Sequence, residues 1–119
     1  MALVLVVDDE ENIREILREA LERAGHQVLT AKDGRDALRV YNAQHPAVVI
    51  TDILMPRRSG IDVVLELNRQ SPRPKVIAIS GVTGKSFLEA GHEVSVARSF
   101  VKPFDVREIV RAVNELAGP

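Results

Sequence analysis

Short strand-forming runs alternate with helical patterns five times along this chain of 119 residues. Alternation of this kind predicts a parallel sheet with helices on both faces, and right-handed crossovers leave few orders for the strands. The length fits one domain, residues 1–119, which is long enough to bury a sizeable core. The runs predicted to be strands are residues 2–7, 27–31, 47–52, 76–79 and 99–101.

The third of these runs is apolar almost throughout and ends in a single carboxylate, Asp52, after which Pro56 and Gly60 break the chain. A Val/Ile-rich run without alternation suits a strand that is buried on both faces of a parallel sheet. The second run is short and mixed, which fits an edge strand. Asp52 is therefore expected at the carboxyl end of a central strand, the edge where open α/β sheets bind ligands.

The helical patterns have apolar residues at three- and four-residue spacing. In the last one, Asp105 and Glu108 are spaced as a capping pair. Gly84 and Gly91 interrupt the fourth pattern, each costing about 1 kcal/mol relative to alanine, and predict a short or mobile helix there. The residues expected to face inward from the third helix are Ile61, Val64, Leu65 and Asn68.

The composition excludes several classes of protein. Hydrophobic residues make up 45% and charged residues 28%, the balance of a soluble globular domain. A net charge of -1 provides no basic field for nucleic acid, and the absence of cysteine excludes disulfides and thiolate metal sites. The apolar start of the chain stops at Asp8, too short for a signal peptide or a membrane span, so a cytoplasmic protein without membrane contact is expected. His26, His45 and His92 have no ligand spacing and are interpreted as surface residues.

Polar side chains stand at the carboxyl ends of four predicted strands. They are Asp8 and Asp9, Asp52, Ser80, and Lys102. Each one alone is typical of a solvated turn, but in a parallel sheet all these ends lie on one edge, where the side chains can converge. The set therefore favours a functional site over separate turns.

Three close carboxylates repel one another, and a divalent cation removes that penalty. Oxygen ligands without histidine or cysteine favour a hard ion such as Mg²⁺, with Mn²⁺ as an alternative. An aspartate beside such an ion can attack phosphorus and form an aspartyl phosphate. Lys102 can neutralise the phosphoryl oxygens from the other side, and the Ser80 hydroxyl can donate a hydrogen bond to one of them.

These residues together resemble the receiver domain of two-component response regulators. The matching motifs cover the chain from end to end. They are residues 6–10 with Asp8 and Asp9, residues 52–56 with Gly60, Ser80, and residues 102–104. The resemblance implies a flavodoxin-like three-layer (βα)5 fold with a parallel five-stranded sheet in the order 2-1-3-4-5.

The resemblance also implies a role for each residue. Asp52 would accept a phosphoryl group from a phosphohistidine on a sensor histidine kinase or phosphotransfer domain. Asp9 would bind Mg²⁺ together with Asp8, Asp52 and the backbone carbonyl of Leu54. Lys102 would contact the phosphate, and the Lys102–Pro103 bond would be cis. Ser80 would move toward the phosphate and carry the signal to the face formed by the fourth helix, the fifth strand and the fifth helix.

Two positions depart from the family pattern. The family usually has an aromatic residue three positions before the conserved lysine, but here that residue is Ser99, and the aromatic is Phe100. A shift of one residue along a strand places the side chain on the opposite face, so the aromatic part of the switch is in doubt. Leu54 and Val82 occupy the positions that influence dephosphorylation, and neither can orient an attacking water, so slow self-dephosphorylation is expected.

Three functions remain open from the sequence. The leading hypothesis is a phosphoacceptor switch, not an enzyme, that signals by binding an unidentified partner protein as a monomer or a phosphorylation-dependent dimer. The second is a receiver fragment of a larger transcriptional regulator or hybrid kinase. The third, a Mg²⁺-dependent phosphohydrolase, is disfavoured because Leu54 stands where many such enzymes carry a second aspartate. Direct nucleic-acid binding is not expected, because no helix-turn-helix region follows the last helix.

Overall fold

The computed structural model describes residues 1–53, 60–81 and 95–118. Its strands are β1 (Leu3–Val7), β2 (Gln27–Ala31), β3 (Val48–Asp52), β4 (Lys75–Ser80) and β5 (Arg98–Val101). Its helices are α1 (Glu11–Arg23), α2 (Gly34–Gln44), α3 (Gly60–Asn68) and α4 (Val106–Ala117). Helix α4 is the fifth helix of the sequence prediction. The predicted fourth helix, with Gly84 and Gly91, lies outside the described residues.

All five strands pair in parallel, in the order β2-β1-β3-β4-β5. This is the flavodoxin-like order that the resemblance implied, and it is confirmed. Strand β3 lies at the centre with every residue buried, while β2 lies at one edge with its first residue exposed. The apolar run that forms β3 is thus central and the mixed run that forms β2 is at an edge, as their compositions predicted.

Two apolar clusters fill the space on the two faces of the sheet and make the fold three-layered. On one face, Leu17 and Leu21 of α1 and Ile109 of α4 pack against β1, β3 and β4. On the other face, Tyr41 of α2 and Leu67 of α3 pack against the sheet. Because both faces are covered, the free edge at the carboxyl ends of the strands is the place where polar residues can gather.

The helix boundaries follow local capping chemistry. The Asp33 side chain accepts a hydrogen bond from the backbone of Asp36 at 2.8 Å and begins α2. Asp105 caps α4 in the same way, accepting from Arg107 N–H at 2.9 Å. Asp105 is therefore confirmed as the start of the last helix. Within the described residues, none of the helices is both long and apolar enough to cross a membrane.

The inward stripe predicted for α3 is wrong. Ile61, Leu65 and Asn68 are only partly buried, and of the predicted positions only Val64 is fully buried. The reason is that apolar residues occupy several faces of this helix, so the pattern did not specify its rotation. The residues that face the core are Gly60, Val63, Val64 and Leu67.

The interpretation of all three histidines as surface residues is also wrong, because His26 is buried with 7% of its surface exposed. Its Nδ1 accepts a hydrogen bond from Ala2 N–H at 3.1 Å, and its Nε2 lies 2.7 Å from Asn114 Oδ1. The ring thereby links the start of β1 to α4. The absence of metal-ligand spacing excluded one role for His26 but carried no information about its burial.

Candidate functional site

Lys102 lies at the centre of a group of carboxylates at the carboxyl edge of the sheet. Its Nζ is 3.0 Å from Asp52 Oδ2, 3.1 Å from Asp8 Oδ2 and 3.1 Å from Glu10 Oε2. Asp52 ends β3 and Asp8 follows β1, its neighbour in the sheet, while Lys102 follows the edge strand β5. The predicted convergence of Asp8, Asp52 and Lys102 is therefore present.

Burial and charge oppose each other in this group. Asp8 and Asp52 are 1% and 5% exposed, and both face the same ammonium. Burial raises the pKa of Asp8, and the Glu10 amide and the Lys102 charge offset only part of that rise. Burial alone would lower the pKa of Lys102, but its carboxylate partners outweigh burial and raise this pKa above its usual value. Lys102 is accordingly a fixed positive charge at neutral pH.

One oxygen of Asp8 is left for a further positive charge. Asp8 Oδ1 accepts a hydrogen bond from Glu10 N–H at 2.9 Å. Lys102 approaches Asp8 Oδ2 outside hydrogen-bonding geometry, so among the described residues this buried oxygen has an ion pair but no hydrogen bond. A buried carboxylate oxygen without a hydrogen bond is a suitable ligand for a divalent cation, because metal coordination does not require the directional geometry of a hydrogen bond.

The turn after β1 gathers the oxygen atoms that such an ion requires. Single carboxylate oxygens of Asp8, Asp9 and Glu10 lie within 4.8 Å of one another. Asp8 is buried, whereas Asp9 and Glu10 are exposed, so the group opens to solvent on one side. This chemistry suits Mg²⁺, which keeps several waters and takes one or two carboxylates.

Glu10 and Arg14 contribute to the site in ways that the sequence did not reveal. Glu10 stands at the N-cap of α1, where acidic residues are favoured, but its side chain accepts a hydrogen bond from Lys102 instead of capping the helix. Arg14 donates from Nη1 to the backbone carbonyl of Asp8 at 2.7 Å. The one available signal for Arg14 was its place in the first turn of a helix, where cations are disfavoured.

Ser80 ends β4, the strand between β3 and β5, and it is 3% exposed. Its backbone carbonyl accepts a hydrogen bond from Lys102 N–H at 2.8 Å. The carboxyl end of β4 is thus tied to the residue that carries the central ammonium. The peptide bond between Lys102 and Pro103 is cis, the geometry that the resemblance implied.

Gly60 lies directly behind Asp52. A Cβ atom at Gly60 would stand 2.0 Å from the Asp52 carbonyl oxygen and 2.6 Å from Ile53 Cα. The Gly60 N–H donates to the Ile53 carbonyl at 2.8 Å. A residue without a side chain therefore allows α3 to begin against the end of β3, and this contact holds the backbone that carries Asp52.

Ser99 and Phe100, the residues of β5 at and beside the aromatic position of the family, point to opposite faces of the sheet. Phe100 is partly buried and packs against the cluster formed with α1 and α4, beside Ile79 in register. Ser99 is exposed and pairs with Ala78. The aromatic ring thus belongs to the core on the side of α1 and α4. Leu54 and Val82, predicted to tune dephosphorylation, and the Leu54 carbonyl lie outside the described residues.

Comparisons with known proteins give one consistent match. A model of the response regulator receiver domain matches residues 4–114. The chemotaxis protein CheY of Thermotoga maritima is 31% identical over 115 residues, which cover 96% of each chain. The response regulator TrrA of Thermotoga maritima, solved in complex with Mg²⁺-BeF, superposes with a TM-score of 0.85 at 34% identity and covers 98% of this chain and 99% of that one.

Longer relatives match as well. The probable transcriptional regulator ycf27 of Cyanophora paradoxa is 35% identical over 113 residues, which are 95% of this chain and 47% of that protein. The chain spans about half the length of ycf27 and of the other transcriptional regulators that it matches. The likeness is thus to whole small proteins in some relatives and to one part of larger proteins in others.

Proposed function

Because this chain belongs to the response regulator receiver domain family, we propose that Asp52 accepts a phosphoryl group from a phosphohistidine of a sensor histidine kinase or phosphotransfer domain. The observation that carries the proposal is the position of Lys102, whose ammonium contacts Asp52, Asp8 and Glu10 at once. Receiver domains are phosphoacceptor switches and generally not classical enzymes. The only chemistry expected here is the gain and loss of this one group.

In the proposed reaction, an Asp52 carboxylate oxygen attacks phosphorus while the bond from phosphorus to the histidine nitrogen breaks. The phosphoryl group ends on Asp52 as an acyl phosphate. The other ring nitrogen of the phosphohistidine carries a proton, so the imidazole takes the bonding electron pair and leaves as a neutral ring. Lys102 Nζ, 3.0 Å from Asp52 Oδ2, neutralises negative charge on the transferring group. Because Lys102 has three donors, it can exchange a carboxylate for a phosphoryl oxygen without losing its remaining partners.

A divalent cation held by Asp8, Asp9 and Asp52, with the Leu54 carbonyl, completes the proposed site. The buried Asp8 Oδ2 that lacks a hydrogen bond supports this assignment. The Mg²⁺-BeF complex of TrrA supports it by analogy. When bound, Mg²⁺ would supply positive charge to the phosphoryl oxygens in addition to that of Lys102, and Mn²⁺ is expected to substitute for it.

The phosphoryl donor is proposed to approach along a groove beside the site. This groove, with a cavity of about 520 Å³, runs between α1 and the segment after β5 and is rimmed by Glu10 and Lys102. Ile16 on its wall is 47% exposed, a large apolar surface at the side of the phosphoacceptor. The other lining residues are Ile13, Pro103, Phe104 and Val106.

The proposed output surface includes β5. Phosphorylation is expected to draw the Ser80 hydroxyl toward the phosphate, which changes the adjacent end of β5 because Lys102 N–H bonds to the Ser80 carbonyl. Ser99 and Val101 expose their surfaces along this strand. Since Phe100 already packs in the core, the signal is proposed to pass through Ser80 without an aromatic switch. The response is a change in binding to a downstream protein or to a second copy of the chain in the cytoplasm.

A second candidate follows from the longer relatives, in which the matching part is about half of a transcriptional regulator. In that case the same phosphorylation would control an attached output domain. The size of the full-length protein in its source cells distinguishes a free-standing protein from a module of a larger one.

The central proposal is tested by incubating the protein with Mg²⁺ and a small phosphoryl donor and measuring its mass. The expected result is the addition of one phosphoryl group, lost in Asp52→Asn and retained in Asp62→Asn, which removes an exposed carboxylate on α3. Addition of the group to Asp52→Asn, or no addition to the unmodified chain under any donor and metal concentration, would contradict the proposal.

A further inference from the structure

Arg14 lies in the first turn of α1, and its guanidinium reaches back to the turn that carries the acidic residues. Its Nη1 donates a hydrogen bond to the backbone carbonyl of Asp8 at 2.7 Å. The positive end of a helix dipole lies at the N-terminus, so a cation in the first turn is placed against its electrostatic preference. A specific partner offsets this penalty, and the Asp8 carbonyl is that partner.

Asp8 is held at three of its four hydrogen-bonding positions. Its N–H donates to the Ala31 carbonyl at 3.1 Å, its carbonyl accepts from Arg14, and its Oδ1 accepts from Glu10 N–H at 2.9 Å. The fourth position, the buried Oδ2, has no hydrogen bond among the described residues. The carboxylate is therefore fixed in orientation, with one oxygen left to meet a cation.

We propose that Arg14 is a positioning residue for the divalent cation, because it fixes the turn on which the carboxylates of Asp8, Asp9 and Glu10 come within 4.8 Å of one another. Repulsion among these carboxylates tends to open the turn when no cation is bound. The bond from Arg14 opposes that opening without using any carboxylate oxygen. The inference rests on the proposed function and adds to it a residue that does not touch the ion.

The direction in which cation affinity changes when Arg14 is replaced distinguishes a positioning role from a purely electrostatic one. If only the charge of Arg14 matters, its removal strengthens cation binding, because a nearby positive charge repels the ion. If Arg14 orders the ligands, its removal weakens cation binding, because the ligands must then be ordered when the ion binds. The two roles predict opposite changes in affinity.

The affinity for a cation can be measured without any phosphorylation by titrating the full chain with Mn²⁺. The paramagnetic resonance signal of the free ion decreases as the ion binds. Arg14→Met keeps the apolar stem and is expected to weaken Mn²⁺ binding about tenfold, as for other residues that support metal ligands. Arg14→Lys keeps a donor and the charge and is expected to recover part of the loss. Arg18→Met is the matched control, since Arg18 lies one turn further on and pairs with exposed Glu15 and Glu22. It should change the affinity by less than about twofold.

Unchanged or tighter Mn²⁺ binding by Arg14→Met would overturn the proposal. Thermal unfolding with and without Mn²⁺ separates positioning from a general folding defect. The positioning role predicts that the rise in unfolding temperature caused by Mn²⁺ shrinks in the variant, whereas an equal drop with and without Mn²⁺ would show a purely structural role and overturn the proposal. An unmodified chain that binds Mn²⁺ but never gains a phosphoryl group would contradict the proposed function and leave the role of Arg14 intact.

Discussion

Lys102 Nζ lies 3.0 Å from Asp52 Oδ2, although Asp52 ends β3 and Lys102 follows β5, two strands that are not neighbours. Strand β4 separates β3 from β5, so the long lysine side chain crosses the end of β4 to reach the carboxylate. The same ammonium contacts Asp8, which follows β1. One side chain thus joins the ends of three strands.

Replacing Lys102 with methionine is expected to destabilise the protein most at neutral pH. The variant leaves the buried carboxylates of Asp8 and Asp52 without the Lys102 ammonium, a loss of about 3 kcal/mol, at the low end of the range for breaking a buried ion pair. The difference from the unmodified chain should shrink toward pH 4, where protonation removes the repulsion. Urea unfolding at both pH values measures this, with Lys75→Met as an exposed-lysine control. A difference that is the same at both pH values would contradict the explanation.

Asp8→Asn is expected to stabilise the metal-free protein at pH 7. Burial raises the pKa of Asp8, so this carboxyl favours folding below its unfolded pKa and loses that contribution as the pH rises through its folded pKa. Removing the charge should therefore raise the free energy of unfolding at pH 7, and the gain should fade in acid.

The control for this prediction is Asp36→Asn. The hydrogen bond from Arg39 lowers the pKa of Asp36, so that carboxylate contributes stability above its unfolded pKa, and its loss should slightly destabilise the protein at pH 7. Unfolding by urea at pH 7 should give changes of opposite sign for the two variants. Destabilisation by Asp8→Asn would show that its pairing with Lys102 outweighs its burial.

Gly60→Ala is expected to destabilise the protein by about 3 kcal/mol, or to prevent folding, because the new methyl group would overlap backbone atoms of Asp52 and Ile53. Gly81→Ala is the matched control, since a Cβ atom there meets nothing within 4 Å. Thermal unfolding compares the two variants. An equal effect at both positions would show that the contact behind Asp52 is easily relieved.

The hydrogen bond between His26 and Asn114 is partly buried and is expected to contribute a coupling free energy of about 1 kcal/mol, typical of an intramolecular hydrogen bond. A double-mutant cycle with His26→Ala and Asn114→Ala, followed by urea unfolding, measures it. The exposed Asn42 of α2 provides the control, and its cycle with His26→Ala should give no coupling. A coupling near zero for the first pair would mean that the ring and the amide act independently.

Leu54→Asn is expected to hasten loss of the phosphoryl group from Asp52 several-fold, because an amide can orient the attacking water and leucine cannot. The expectation comes from the sequence, since Leu54 lies outside the described residues. Release of phosphate from the purified phosphorylated protein measures the rate, and Leu54→Met controls for the loss of a branched apolar side chain. A Leu54→Asn protein that is as slow as the unmodified chain would remove Leu54 as the cause of a long phosphate lifetime.

The sheet was predictable because each strand carries its own signal. The apolar run before Asp52 indicated the central strand, and the mixed run from Gln27 indicated the edge. The order of the strands came from resemblance to a family, since alternation alone leaves several orders open. The rotation of α3 was not predictable, because apolar residues occur on several of its faces and only contact with the sheet selects Val63 over Ile61.

The sequence by itself determined that Asp8, Asp52, Ser80 and Lys102 stand at the carboxyl ends of strands, because strand periodicity and chain breaks are local properties of the chain. Only the tertiary structure decided that Glu10 joins Lys102, that Arg14 holds the Asp8 carbonyl and that His26 is buried against α4. These contacts join side chains whose reach and direction depend on neighbours distant in sequence or on the path of a turn. No local pattern records them, although the contacts of Glu10 and Arg14 lie at the site itself.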